Sequence, residues 1–320
     1  MGRTAEIRCL LILLGFNLCV NLVQAAFANV GVKYQVTLNV FSGRENPEWE
    51  VDETNSMYQQ LSWAVNSERP TDIDERHMGY QGFVVRATNA HGQTAWKTVG
   101  RYTSRRIESI LLKSCPSSVG LSPQLVNHVN AAILGQLPQT PQPKTVSKAH
   151  VTYNNEEDTI SVSIRQHFLV RRKRQAQMCA TRFAPENWNY ASVQRRNNCY
   201  NYATNMQTNT FAQPGRASGR RYTQTTPQDV YAASLRDGLT PLSIPDAGRE
   251  CLIALVIWPG EDYHYLRLDN DGTWSQKSGR TRARNTDDSG FTITDPRMAD
   301  TGPYTVFAGF LGVGPNANIR

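Results

Sequence analysis

Long apolar runs are almost missing from this chain. Only Cys9–Val23 (CLLILLGFNLCVNLV) stays apolar for any length, and it falls short of the ~20 residues that a spanning helix requires. A multi-span membrane protein is excluded. Histidine and cysteine are scarce, at six each in 320 residues. His77, His91, His128, His150 and His167 are scattered without metal-ligand spacing, so no metal and no other cofactor is expected. Glycine, proline and charge stand at the levels of a globular chain rather than a collagenous, coiled-coil or disordered one. Acidic residues are outnumbered 27 to 34, which leaves a formal charge of +7. The two signs are interspersed, so the excess reads as a solvated basic surface and no nucleic-acid partner is expected.

What is present begins with an address. Arg3 and Arg8 precede the apolar run, and Ala25, Ala26 and Ala28 follow it. A positive start, a short apolar core and small residues read as a secretory signal peptide over 1–28, with no membrane span. The protein is therefore expected to be secreted and extracellular, in a compartment where disulfides persist. Cys9 and Cys19 leave with the signal, and Cys115, Cys179, Cys199 and Cys251 remain.

Arg171-Arg172-Lys173-Arg174 stands apart from the other basic pairs. In a secreted protein this Arg-x-Lys-Arg pattern is what a furin-like proprotein convertase reads, and it predicts an exposed linker cut after Arg174. Before it, 29–170 reads as an α+β module. Val32–Phe41, Gly82–Ala87, His150–Tyr153 and Thr159–Ile164 carry strand patterns, the last two forming a hairpin. Arg106–Lys113 and Pro123–Leu134 carry helical ones, the second opened by Ser122 as cap and Pro123 at its first position. Gln136–Ser147, rich in Pro and Gln, reads as a connection.

The second half, 175–320, holds one histidine, His264, and three cysteines. Asn198 is a strong N-cap, which places Cys199 in the first turn of a helix, where the helix dipole and Arg195 and Arg196 would favour the thiolate. Leu252–Trp258 (LIALVIW) reads as a fully buried strand. Tyr263–Leu268 alternates, and Asp269-Asn270-Asp271-Gly272 turns the chain into a return strand from Thr273. Cysteine on a helix and histidine on a later strand, 65 residues apart, is an order that suits a nucleophile–base pair. A disulfide role for Cys199 and a plain sheet histidine at 264 are the alternatives.

Asn198-Cys199-Tyr200-Asn201-Tyr202-Ala203 resembles the nucleophile helix of NlpC-type and CHAP-type cysteine peptidases and amidases, and Asp262-Tyr263-His264 resembles their histidine strand. The resemblance implies a papain-like α+β domain, a nucleophile helix packed on an antiparallel sheet. It implies Cys199 as nucleophile and His264 as general base, acting on peptides or peptidoglycan peptides. A third residue should orient the imidazole. Asn285, Asp287 and Asp295 follow at suitable distances, and Asp287 is preferred as a carboxylate. Asn197 or Gln194, with the Cys199 N–H, would hold an oxyanion. With Cys199 as nucleophile, Cys179 and Cys251 form the expected disulfide, and Cys115–Cys179 is the alternative. Leu38–Glu50, Phe211–Gly219 and Asp271–Gly279 are also similar to stretches of uncharacterised secreted proteins of invertebrates and bacteria.

Two further patterns stand in the second half. Asp269–Gly272 resembles the opening of a calcium loop, but residue 280 is Arg where a bidentate Glu is needed, and a hairpin turn is expected. Arg280, Arg282 and Arg284, near Trp274, could meet an acidic polysaccharide. Two functions are thus expected from the sequence. One is a secreted cysteine hydrolase released by cleavage after Arg174. The other is a non-catalytic extracellular matrix protein, for example of a mineralised or cuticular layer, on the same scaffold.

Overall fold

The structure, a computed structural model, describes residues 31–67, 69–101, 104–137, 144–146, 182–242 and 252–320. The signal segment, the hairpin expected at 150–164, the basic run 171–174, Cys179 and Cys251 lie outside these residues. The fold is α+β, with helices and mainly antiparallel sheets in two compact units. Described residues of the first come from up to 38, 48–72 and 83–120, and those of the second from 39–47, 73–82 and 121–320. The second unit therefore draws on chain from both sides of the basic run.

In the first unit, β1 (Lys33–Asn39) pairs antiparallel with β2 (Glu48–Val51). Alternation buries Tyr34, Val36 and Leu38 with Trp49 and Val51, and leaves Glu48 and Glu50 outside. Helix α1 (Tyr58–Ser67) buries Leu61, Ala64 and Val65. Strands β3 (Gly82–Thr88) and β4 (Thr94–Gly100) complete a sheet in the order β2-β1-β3-β4. Helix α2 (Arg105–Lys113) buries Ile107, Ile110 and Leu111 and packs with α1. The Trp49 indole N–H donates to Ser114 Oγ at 3.0 Å, and Tyr34 donates to Ser62 Oγ at 3.0 Å, so these two polar groups taken into the core have partners.

The second unit opens with α3 (Pro123–Leu134), where Ser122 accepts from the Leu125 N–H at 2.9 Å and Pro123 takes the first turn, as expected. After β5 (Thr145–Val146) come the short helices α4 (Ala191–Gln194) and α5 (Cys199–Ala203), then α6 (Pro227–Arg236). Strands β6 (Thr240–Leu242), β7 (Leu252–Trp258), β8 (Asp262–Leu268), β9 (Trp274–Lys277), β10 (Ala283–Arg284) and β11 (Val306–Gly312) follow. They build a sheet ordered β10-β9-β8-β7-β11-β5, with β6 also paired to β11. The β7 run is buried at every position, so both sheet faces are covered. On one face, Leu255 and Ile257 with Tyr263 and Tyr265 meet Cys199 and Tyr200 of α5 and Val230 and Ala233 of α6. On the other, Trp258 meets the rings of His128, Phe41 and Tyr304.

Candidate functional site

Helix α5 is set by local chemistry. Asn198 Oδ1 accepts from the N–H groups of Tyr200 and Asn201, and the Asn201 side chain accepts from the Asn198 N–H, a closed capping box. All five helical residues are buried, and the Tyr200 and Tyr265 rings lie 4.8 Å apart. Cys199 thus sits at a helix start, where the sequence placed it, and its sulfur lies 3.9 Å from the Tyr263 carbonyl.

The β8 alternation decides where His264 goes. Tyr263 and Tyr265 pack with α5, so His264 between them turns to the opposite face. There it lies beside the Tyr304 ring, with Nδ1 2.5 Å from Ser42 Oγ. The Gln276 side chain approaches the ring without a hydrogen bond of ordinary geometry to Nε2. The link between thiol and imidazole runs through Ser42, whose side chain also neighbours the Cys199 sulfur. Cys199 and His264 are both 0% exposed. Burial pushes the Cys199 thiol up to about 12, and the Asp262 carboxylate adds to the shift. Burial pushes the His264 imidazole down to about 3, helped by the Arg284 charge. Both groups are neutral near pH 7, the opposite of a thiolate–imidazolium pair.

The other expected site residues are occupied elsewhere. Asp287 accepts from the N–H groups of Phe291 and Asp300 at 2.9 and 3.1 Å, closing its own loop. Asn197 donates to Val193 O and Asn209 Oδ1 and accepts from the Asn209 N–H. Gln194 donates to Arg280 O at 3.0 Å and approaches Glu75. Among the described residues Cys115 and Cys199 are free thiols, with Cys115 pushed up to about 11 by burial.

Ser42 belongs to a loop that no sequence pattern singled out as functional. The buried Asp262 carboxylate accepts from three successive backbone amides, Ser42 at 2.5 Å, Gly43 at 3.1 Å and Arg44 at 3.0 Å, and from the Tyr304 hydroxyl at 2.6 Å. This is an anion held in a backbone nest. The Gly43 carbonyl in turn accepts from Asn198, Gln213 and the Tyr263 hydroxyl. A Cβ on Gly43 would come within 2.3 Å of the Tyr263 ring, so only glycine fits here. Gly279 donates to Ser42 O, and with φ of +49° its own Cβ would meet the Phe41 carbonyl at 2.5 Å. The three blocks 38–50, 211–219 and 271–279 thus meet around one loop. Beside it the buried Lys277 ammonium donates to the carbonyls of Gln194, Asn197 and Gly279 at 2.6–2.7 Å, and burial pushes it down to about 7.

The arginines that could meet a polyanion face carboxylates. Arg280 pairs with Glu45 at 2.7 Å, Arg282 approaches Glu75 at 3.8 Å, and Arg284 pairs with Asp288 at 2.5 Å. Asp269 pairs with the buried Arg267 at 2.9 Å, and the chain turns from Asp269 to Gly272 as a hairpin. Among the described residues no group of three or more His, Cys, Asp or Glu could hold a metal, and no helix is long and apolar enough to cross a membrane.

Fold and site together define an α+β scaffold whose cysteine and histidine are sealed inside a hydrogen-bonded knot. No family model and no solved structure matches the chain. The chain is 71% identical over 145 residues to insoluble matrix shell protein 1 of Ruditapes philippinarum, a match covering 45% of this chain and 98% of that protein. The chain belongs to the family of that shell protein.

Proposed function

We propose that this protein is a non-catalytic component of an insoluble extracellular matrix. The identity to the matrix shell protein over nearly all of that protein's length carries the reading. The N-terminal signal pattern supports secretion, and the charge of +7 suits an acidic polysaccharide as partner. The state of Cys199 and His264 supports a structural role over hydrolysis. A nucleophilic thiol must ionise near neutral pH and meet its substrate, whereas this one is buried and held protonated. The Ser42–Asp262–Tyr304 knot also gives the Asp262 carboxylate and His264 Nδ1 protein partners without a substrate.

The experiment is fractionation of the tissue that makes the protein. Its peptides are expected in the insoluble residue of the extracellular matrix after salt and detergent extraction. Recovery from the cell extract alone would overturn the proposal.

A further inference from the structure

In the second unit a cavity of about 570 Å³ is lined by Arg44, Arg221, Tyr222 and Gly260 and by the polar stretch Thr223 to Thr226. Its two guanidinium groups differ from the Arg280–Arg284 series in one respect. Among the described residues neither has a carboxylate partner within ion-pair distance. Each is nevertheless fixed in place. Arg221 Nη2 donates to Gln213 Oε1 at 2.9 Å and to the Tyr222 hydroxyl at 3.0 Å, with the guanidinium 4.9 Å from the Tyr222 ring centre. Arg44 lies 4.8 Å from the Phe41 ring centre and donates from Nη1 to the Glu261 carbonyl. A guanidinium carries five N–H donors, so each of these keeps donors that no described protein atom accepts. The α6 N-terminus at the cavity wall is already satisfied, by Thr226 Oγ1 on the Asp229 N–H and by Asp229 on Thr223 and Gln224, so the two arginines carry the site.

We propose that this cavity binds the sulfate or carboxylate groups of an acidic polysaccharide. Two preorganised forks suit a planar or tetrahedral oxyanion held by paired N–H···O bonds. The volume falls in the range of small-molecule pockets, enough for the sugar that bears the anion, and Thr223, Gln224 and Thr226 present groups able to bond its hydroxyls. The choice of a polysaccharide as the source of the oxyanion rests on the matrix reading, and the oxyanion chemistry does not.

The test measures binding of dextran sulfate to the full chain in solution at low salt, with neutral dextran as control. Arg221 is exposed, and Arg221→Gln is expected to weaken binding about tenfold or more, the loss of a charge-assisted contact. Arg282→Gln, the same charge change at a carboxylate-paired surface position, is expected to weaken it less than about twofold. Should Arg221→Gln lower the melting temperature, Arg221→Lys keeps the charge while losing the fork, and a several-fold loss is expected there too. Equal losses in Arg221→Gln and Arg282→Gln would overturn the site in favour of diffuse charge, as would wild-type binding by Arg221→Gln. Equal binding of neutral dextran would overturn the oxyanion chemistry. Poly-aspartate binding as tightly, with the same dependence on Arg221, would overturn the saccharide assignment. The outcome is independent of where the protein resides in tissue, so failure here and failure of the matrix reading are separate results.

Discussion

Asp262→Asn removes one buried charge and changes almost nothing in shape. In the native protein the carboxylate accepts from Ser42 N, Gly43 N, Arg44 N and the Tyr304 hydroxyl, with distances from 2.5 to 3.1 Å. An asparagine can keep an oxygen on only one side. If the oxygen faces Ser42, Gly43 and Tyr304, the new NH₂ meets the Arg44 N–H, donor against donor. If it faces Arg44, Ser42 and Tyr304 lose their acceptor and Gly43 keeps only its longer contact of 3.3 Å. The milder arrangement forfeits one charge-assisted hydrogen bond and weakens three, about 2–4 kcal/mol. At a urea m-value of about 3 kcal/mol per molar for a unit of this size, the midpoint should fall by about 1 M. Urea unfolding followed by tryptophan fluorescence reads the shift. Amide exchange at Ser42, Gly43 and Arg44 should quicken by a matching factor. An unchanged midpoint with unchanged exchange would refute the claim that this carboxylate holds the loop.

Two further outcomes follow from the same site. His264 is held neutral in the folded state down to about pH 3, while the unfolded chain protonates it below about 6.5. Its contribution is therefore present above pH 6.5 and is lost as pH falls, by about 3 kcal/mol at pH 4. Urea unfolding at pH 7 and pH 4 should show this loss in the wild type and much less of it in His264→Gln, and equal pH dependence would contradict the burial argument. The second outcome concerns cleavage after Arg174. Residues 39–47, 73–82 and α3 belong to the same compact unit as β7, β8 and β9, so the two pieces should co-elute on native size exclusion and separate only in denaturant. Free migration of a 175–320 fragment would contradict it.

How much of this was legible in sequence depended on range. Ser122–Pro123 and the Asn198 cap act over three or four residues, and both helices start where their caps predict. Thr226–Pro227 carries the same signature at the head of α6, where Thr226 accepts from the Asp229 N–H, and it was open to the same reading. The apolar run of β7 and the turn before β9 were equally local. The alternation in Asp262–Leu268 separates His264 from Tyr263 and Tyr265, but which face α5 covers is a tertiary fact. Ser42 meets His264 across 222 residues of chain, and Glu45 and Glu75 neutralise arginines more than 200 residues later. No local pattern announces such pairs. Glycines at 43 and 279 were the trace they left, since a Cβ would strike the Tyr263 ring at one and the Phe41 carbonyl at the other.

The central claim is that Cys199 is a structural thiol inside a closed knot, and its reactivity tests that directly. Iodoacetamide labelling of Cys199 in the folded full chain, followed by mass spectrometry from pH 6 to pH 9, should be negligible throughout. It should become complete once urea unfolds the protein, and His264→Ala should speed it only in proportion to lost stability, because burial holds the thiol near 12. Rapid labelling of the folded protein near pH 7, slowed when His264 is replaced by alanine, would contradict the account and point to a working thiolate–imidazolium pair.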